Sequence, residues 1–322
     1  MTSAAIESAR AQVDTKSAPR QLVVLSGKGG TGKTSLVAAL AALTTDKVLA
    51  DCDVDAADLH LVLDPVRRHT ESFVSGKEAR ITPERCSACG LCQEHCRFEA
   101  VHLTRQSDGR SVFMVDPIAC EGCGLCMRVC PSSAVDMVEA ERGEWFISDT
   151  RHGPLIHARL NVGGENSGKL VTLVRNQASA LAAKVGADLV LVDGPPGIGC
   201  PVIAAIGGAT ALVLVVEPTV SGLHDMSRLV DLARHFRVPC LLCINKFDLN
   251  LEMTRRLEDE ARERKMQLVG RVPFDPLFTE AMIAARTVIE YQQDSRIAVA
   301  VREIWHAIVA SPAMNSYGIR TM

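Results

Sequence analysis

The sequence predicts an α/β protein: a doubly wound, mostly parallel sheet interrupted by a small α+β domain. Two observations predict it. Continuous apolar runs at 21–25 (QLVVL), 47–51 (KVLAD), 188–193 (DLVLVD), 211–216 (ALVLVV) and 240–244 (CLLCI) alternate with helix-like stretches such as SLVAALAAL, NQASALAAKVG and LHDMSRLVDLARHF. Runs without polar alternation read as strands buried on both faces, as in a parallel sheet covered by helices. Between 65 and 142 the pattern breaks, with tight cysteine clusters, many Arg and Glu, and only short apolar runs. The expected organisation is a main domain over 21–64 and 143–322, an insert over 65–142, and a flexible tail over 1–20 with no apolar leader.

The first strand runs into Gly27-Lys28-Gly29-Gly30-Thr31-Gly32-Lys33-Thr34, which fits G-x-x-x-x-G-K-[ST] with a strand before it and a helix after. Glycines let the backbone amides turn toward phosphate oxygens, and the helix N-terminus adds its positive end. Lys33 is expected at the β- and γ-phosphates and Thr34 at Mg²⁺, with Ser35 beside it. Asp51 and Asp53 in DCDVDAADL, and Asp193 in LVLVDGPPG, sit at strand ends, where carboxylates can hold Mg²⁺ and an attacking water.

The insert contains C-x₂-C-x₂-C-x₃-C twice. A shift of 34 residues superposes Cys86, Cys89, Cys92 and Cys96 on Cys120, Cys123, Cys126 and Cys130, and Ala100-Val101 on Ala134-Val135. That is a duplicated unit. The spacing is that of bacterial two-cluster ferredoxins, in which the fourth cysteine of each run serves the other cluster. This groups Cys86, Cys89, Cys92 and Cys130 around one [4Fe–4S] cluster, and Cys120, Cys123, Cys126 and Cys96 around the second. Zinc competes for thiolates, but its sites usually show two separated pairs. Cys130 is followed by Pro131, whereas Cys96 is followed by Arg97, a departure that puts positive charge near one cluster.

KGGTGKT resembles the deviant phosphate loop of the MinD/ParA family of P-loop ATPases, which includes the nitrogenase iron protein. From Gln21 to Glu290 the chain is similar to the members that carry an inserted ferredoxin domain. The resemblance implies ATP and Mg²⁺ as ligands. It also implies that Lys28 acts across a nucleotide-dependent homodimer, or a hetero-oligomer with a paralogue, and that Asp53 positions the water while Asp193 serves Mg²⁺. Asn245 in INKFD would meet the base edge, and Pro273 in VPFDP would cover the base. The family often has Asp-Thr-Pro-Pro where this chain has Gly194.

The function this implies is an ATPase that couples nucleotide state to electron transfer with a redox partner protein. Two alternatives stand: an iron–sulfur carrier or assembly ATPase, and a MinD/ParA-like positioning ATPase with a redox sensor. The 322 residues carry a net charge of −3 and few aromatics. That argues against nucleic acid as a partner, and no apolar run is long enough to span a membrane. Twelve cysteines without a leader point to the cytoplasm, where thiols stay reduced. Cys240 and Cys243 lie three apart on one strand and therefore point to opposite faces. Cys52 is read as a small buried residue. Cys200, seven residues after Asp193, is read as a packed or partner-facing thiol, with a bridging third cluster as the alternative. Ser167 and Lys169 read as a turn before a helix, and His152 and His157 as surface or dimer contacts.

Overall fold

The computed structural model describes residues 18–163 and 167–315. Most of the expected tail, part of the glycine-rich 163–168 loop and the last seven residues lie outside these. Nine strands form one sheet in the order β11-β10-β9-β1-β8-β2-β7-β6-β3. They are β1 (Arg20–Ser26), β2 (Lys47–Asp51), β3 (Val66–Ile81), β6 (Val135–Thr150), β7 (Gly153–Leu160), β8 (Leu189–Pro196), β9 (Ala211–Val216), β10 (Cys240–Asn245) and β11 (Gln267–Val272). The run from β11 to β7 is parallel, and β6 and β3 continue it antiparallel. A separate hairpin pairs β4 (Val101–Arg105) with β5 (Ser111–Val115).

The parallel strands are buried on both faces because alternate side chains enter two different cores. Leu22 and Val24 pack with the helices Lys33–Ala42 and Arg296–Ala310. Val23 and Leu25 pack with Ser167–Val185 and Val220–His235. Cys240 and Cys243 fall on opposite sides by the same rule, and burial pushes both thiols up to about 12. Cys52 is fully buried, and burial raises its thiol pKa. Ser167 and Lys169 are in the first turn of Ser167–Val185.

The sequence reading did not anticipate β3, β6 and β7. Both strands that flank the cysteine repeats extend the main sheet, so the repeats sit at the tip of a long two-stranded arm. Its polar, largely exposed outer strand (VRRHTESFVSGKEARI) hid it from a search for apolar runs. His157 also differs from the surface contact expected of it. It lies on β7 between two neighbouring strands, 4 % exposed, with Nε2 2.9 Å from Ser148 Oγ and its ring stacked near Phe146 and His60. Burial, together with the nearby His60 and Arg67, lowers its pKa to about 4.

Candidate functional sites

The phosphate loop joins β1 to the helix Lys33–Ala42. Gly30 (φ 76°) and Gly32 (φ 83°) take left-handed backbone, and Gly32 caps the helix. A Cβ at Gly29 or Gly30 would meet nothing within 4 Å, so the cradle is open there. At Gly27 a Cβ would fall 2.1 Å from Asp225 Cβ, so only glycine lets the loop start against that helix. Lys33, Thr34 and Ser35 form the first helical turn, and Ser35 Oγ donates to Met282 Sδ at 3.2 Å.

Three carboxylates converge on the Lys33 amine. Asp51 and Asp193 are register partners on β2 and β8, both fully buried. Lys33 Nζ lies 2.7 Å from Asp193 Oδ1 and 3.7 Å from Asp53 Oδ2. Burial alone would lower the Lys33 pKa, but Asp193 and the other two aspartates outweigh it and raise the pKa. Burial, reinforced by Asp193, holds the Asp51 carboxyl well above the usual range, although it accepts from the amides of Asp53 and Leu59. Burial also pushes Asp53 up to about 6 against the pull of Lys33. Two buried oxygens, Asp193 Oδ2 and Thr31 Oγ1, have no hydrogen-bond partner. Oxygen atoms of this kind are the donor set a hard divalent cation and its waters require.

Lys28 is 40 % exposed and pairs with Glu217 Oε2 at 3.2 Å, while Lys246 Nζ reaches Glu217 Oε1 at 2.5 Å. Burial disfavours the Glu217 carboxylate, but its bonds to the two lysines prevail and lower its pKa. Sequence reasoning missed Glu217. The signal was available, because Glu217 directly follows β9, the same strand-end placement that singled out Asp51 and Asp193. Asn245 ends β10 and is buried. Its Nδ2 donates to Thr31 O at 2.7 Å and its Oδ1 accepts from Lys246 N, so its amide braces the phosphate loop. Pro273 follows β11, and the next residue, Phe274, donates its amide to Asp248 Oδ1. Cys200 is exposed and opens the helix Cys200–Ile206.

At the arm's tip the duplication is visible in the backbone. Gly90 (φ 86°) and Gly124 (φ 73°), 34 apart, cap the short helices Leu91–Glu94 and Leu125–Val129. Glu99 and Ser133, also 34 apart, both have positive φ, and Ala100 and Ala134 are both buried. Two cavities lie between the repeats. One is lined by Cys86, Cys89, Cys92 and Cys130 with Ile81 and Phe113. The other is lined by Cys96, Cys120, Cys123 and Cys126 with Val101 and Phe98. All eight cysteines are free thiols, and among the described residues no three His, Cys, Asp or Glu side chains converge to hold a single metal ion.

The described residues include no helix long and apolar enough to cross a membrane. Comparison with known proteins bears on the main sheet. An uncharacterized protein of Methanocaldococcus jannaschii, MJ0578, is 32 % identical over 294 residues, covering 89 % of this chain and 96 % of its own. The cell division ATPase MinD of Pyrococcus furiosus shares the fold at 18 % identity and a TM-score of 0.52, covering 90 % of this chain and 98 % of its own. MinD of Pyrococcus horikoshii, solved with Mg-ADP, does so at 16 % and 0.53, covering 90 % and 96 %. The model of the CobQ/CobB/MinD/ParA nucleotide binding domain matches residues 22–288, most of the chain. The protein therefore belongs to the CobQ/CobB/MinD/ParA nucleotide-binding family.

Proposed function

We propose that the protein is a Mg²⁺-dependent ATPase whose nucleotide state is coupled to electron transfer through two [4Fe–4S] clusters. The observation that carries this is the partition of the eight thiols. Each cavity takes three cysteines from one repeat and the fourth from the other, the crossed arrangement of two-cluster ferredoxins. Two quartets at this spacing suit the separate irons of two clusters, whereas zinc sites usually show two separated pairs. Cys86, Cys89, Cys92 and Cys130 would hold one cluster, and Cys96, Cys120, Cys123 and Cys126 the other. When bound, the clusters supply one-electron carriers.

In the nucleotide site, Lys33 neutralises phosphate charge and gives up part of its contact with Asp193. Thr34 and Asp193 serve Mg²⁺ directly or through its waters. Asp53 orients the attacking water and accepts its proton, a task suited to a carboxyl with a pKa near 6. Lys28 is exposed enough to leave Glu217 and reach the nucleotide of a second copy, or of a paralogue, in a nucleotide-dependent dimer. The Asp51–Asp58 segment leads through the helix Leu59–Leu63 straight into β3. A movement there therefore has a short path to the cysteine unit. ATP can bias that movement only by binding two arrangements with different affinity. A redox partner would take or supply the electrons.

The test is an anaerobic preparation assayed for iron, sulfide and reduced-state EPR, titrated with and without MgATP, with Lys33→Ala as control. Eight irons per chain and a midpoint shift that requires Lys33 are expected. A shift of 59 mV per electron corresponds to about a tenfold change in relative nucleotide affinity. Zinc in place of iron, or no sulfide, overturns the cluster reading. Size-exclusion chromatography with light scattering, with and without ATP, reads the dimer.

A further inference from the structure

The arm contains a construction that neither ATP hydrolysis nor thiol ligation uses. Two bulges stand back to back in the β3–β6 pairing. On β3, Ser75 and Gly76 oppose only Ala140, since Val74 pairs with Glu141 and Lys77 with Glu139. On β6, Arg142 is the extra residue, since Phe73 pairs with Gly143 and Val74 with Glu141. Bulges cost ladder hydrogen bonds, and they re-aim side chains, often beside functional sites. Here both strands are broken at the same level.

The re-aimed residues line one cleft of about 280 Å³, with Lys77, Ile118, Glu121 and Gly122 as other walls. Ser75 is 7 % exposed and its Oγ has no hydrogen-bond partner. A buried hydroxyl left unpaired is costly, so it asks for an external partner. Arg142 donates Nη1 to Pro117 O and Nη2 to Cys120 O, which fixes the guanidinium and leaves it further N–H donors. Lys77 and Arg142 against the single carboxylate Glu121 leave the lining net positive. Gly122 closes one wall, since a Cβ there would fall 2.1 Å from Lys77 O. Gly76 opens another, since a Cβ there would meet nothing within 4 Å.

We propose that this cleft binds a small oxyanion, a carboxylate or phosphate, through the Ser75 hydroxyl, the Lys77 ammonium and the Arg142 guanidinium. The ligand would rest against the Cys120–Gly122 loop, on the wall of the second cysteine cavity.

The test is calorimetric titration of the full chain with succinate and, separately, inorganic phosphate, with MgADP present to fill the nucleotide loop. The neutral diamide succinamide is the control, and iron is counted on the same sample. Saturable binding of at least one anion is expected, weakened fivefold or more in Ser75→Ala and in Lys77→Gln, with no binding of the diamide. A response to succinate alone identifies an organic acid as the ligand class, and a response to phosphate alone identifies free phosphate. Lys77 is exposed, so its variant tests the site even if the Ser75 change disturbs the arm. Equal binding in wild type and both variants, or no saturable binding of either anion below about 10 mM, overturns the proposal. Because iron is counted independently, loss of the cluster reading and loss of this site are separate results.

Discussion

Asp51 and Asp193 lie side by side in register on neighbouring parallel strands, both fully buried, and the Lys33 ammonium bonds Asp193 at 2.7 Å while its charge also acts on Asp51. Two buried carboxylates at this separation repel, and that repulsion contributes to the raised Asp51 pKa. Removing the amine leaves buried charge uncompensated. Lys33→Ala is therefore expected to abolish ATP binding and also to cost about 3–5 kcal/mol of stability, read by urea unfolding. A stable variant that merely fails to bind ATP would show that the carboxylates take up protons without penalty.

Gly194 follows Asp193 where the family often has threonine. A Cβ here would sit 2.8 Å from Val24 O and 2.5 Å from Leu25 Cδ2, inside the β1–β8 contact. The Leu25 methyl can rotate away, but the Val24 carbonyl cannot yield without moving a central strand. Gly194→Thr is expected to destabilise by about 1–3 kcal/mol or more and to weaken nucleotide binding with it. Thermal denaturation and ATP titration check this, and unchanged values would mean that β8 is free to shift.

His157 titrates near 4 in the folded chain, below its ordinary value of 6.5. Between those values the unfolded chain binds more protons, so stability falls as pH drops from 6.5 toward 4. His157→Gln should flatten that part of the stability–pH curve. An unaltered slope from urea titrations at pH 7, 6 and 5 would rule out this histidine as its source.

Glu290 controls a lower window. Burial opposes its charge, but Arg151, the Thr287 amide and hydroxyl, and His152 pull its pKa from 4.5 to about 2. Arg151 donates Nε to Oε1 at 2.6 Å and Nη2 to Oε2 at 3.0 Å, and also reaches the carbonyls of Val62 and Ala285. A lowered carboxyl adds stability above 4.5 that is lost as pH falls toward 2. After allowance for solvent this is about 1–2 kcal/mol. Glu290→Gln should lose that amount at pH 7 and converge with wild type only at about pH 2 and below.

The proposed crossing assigns the two cysteine sets to different clusters. Cys130→Ala should lower the iron of the Cys86–Cys89–Cys92 group and leave the signal of the other, and Cys96→Ala should do the reverse. Loss of both signals from either variant, or loss of the group nearer in sequence, would contradict the crossing.

Much was legible in one dimension because it is local. A phosphate loop is a contiguous stretch whose glycines and lysine announce it, an apolar run marks a strand buried on both faces, and a repeat of 34 residues is visible by shifting the sequence against itself. The opposite facing of Cys240 and Cys243 followed from the period of a strand alone. The sequence by itself thus determined the five central strands of the parallel run, the loop and the two cysteine runs.

Tertiary structure decided what depends on register between distant segments. That Asp51 lies beside Asp193 and that Glu217 ties Lys28 to Lys246 require segments distant in the chain to align, and that His157 is buried against Phe146 requires β6 and β7 to pair. The arm was hidden because β3 buries little. Its place comes from hydrogen bonds to β6, which any side chain permits. The paired bulges at Ser75 and Arg142 arise for the same reason: they are mismatches between two strands, and neither strand encodes a mismatch alone.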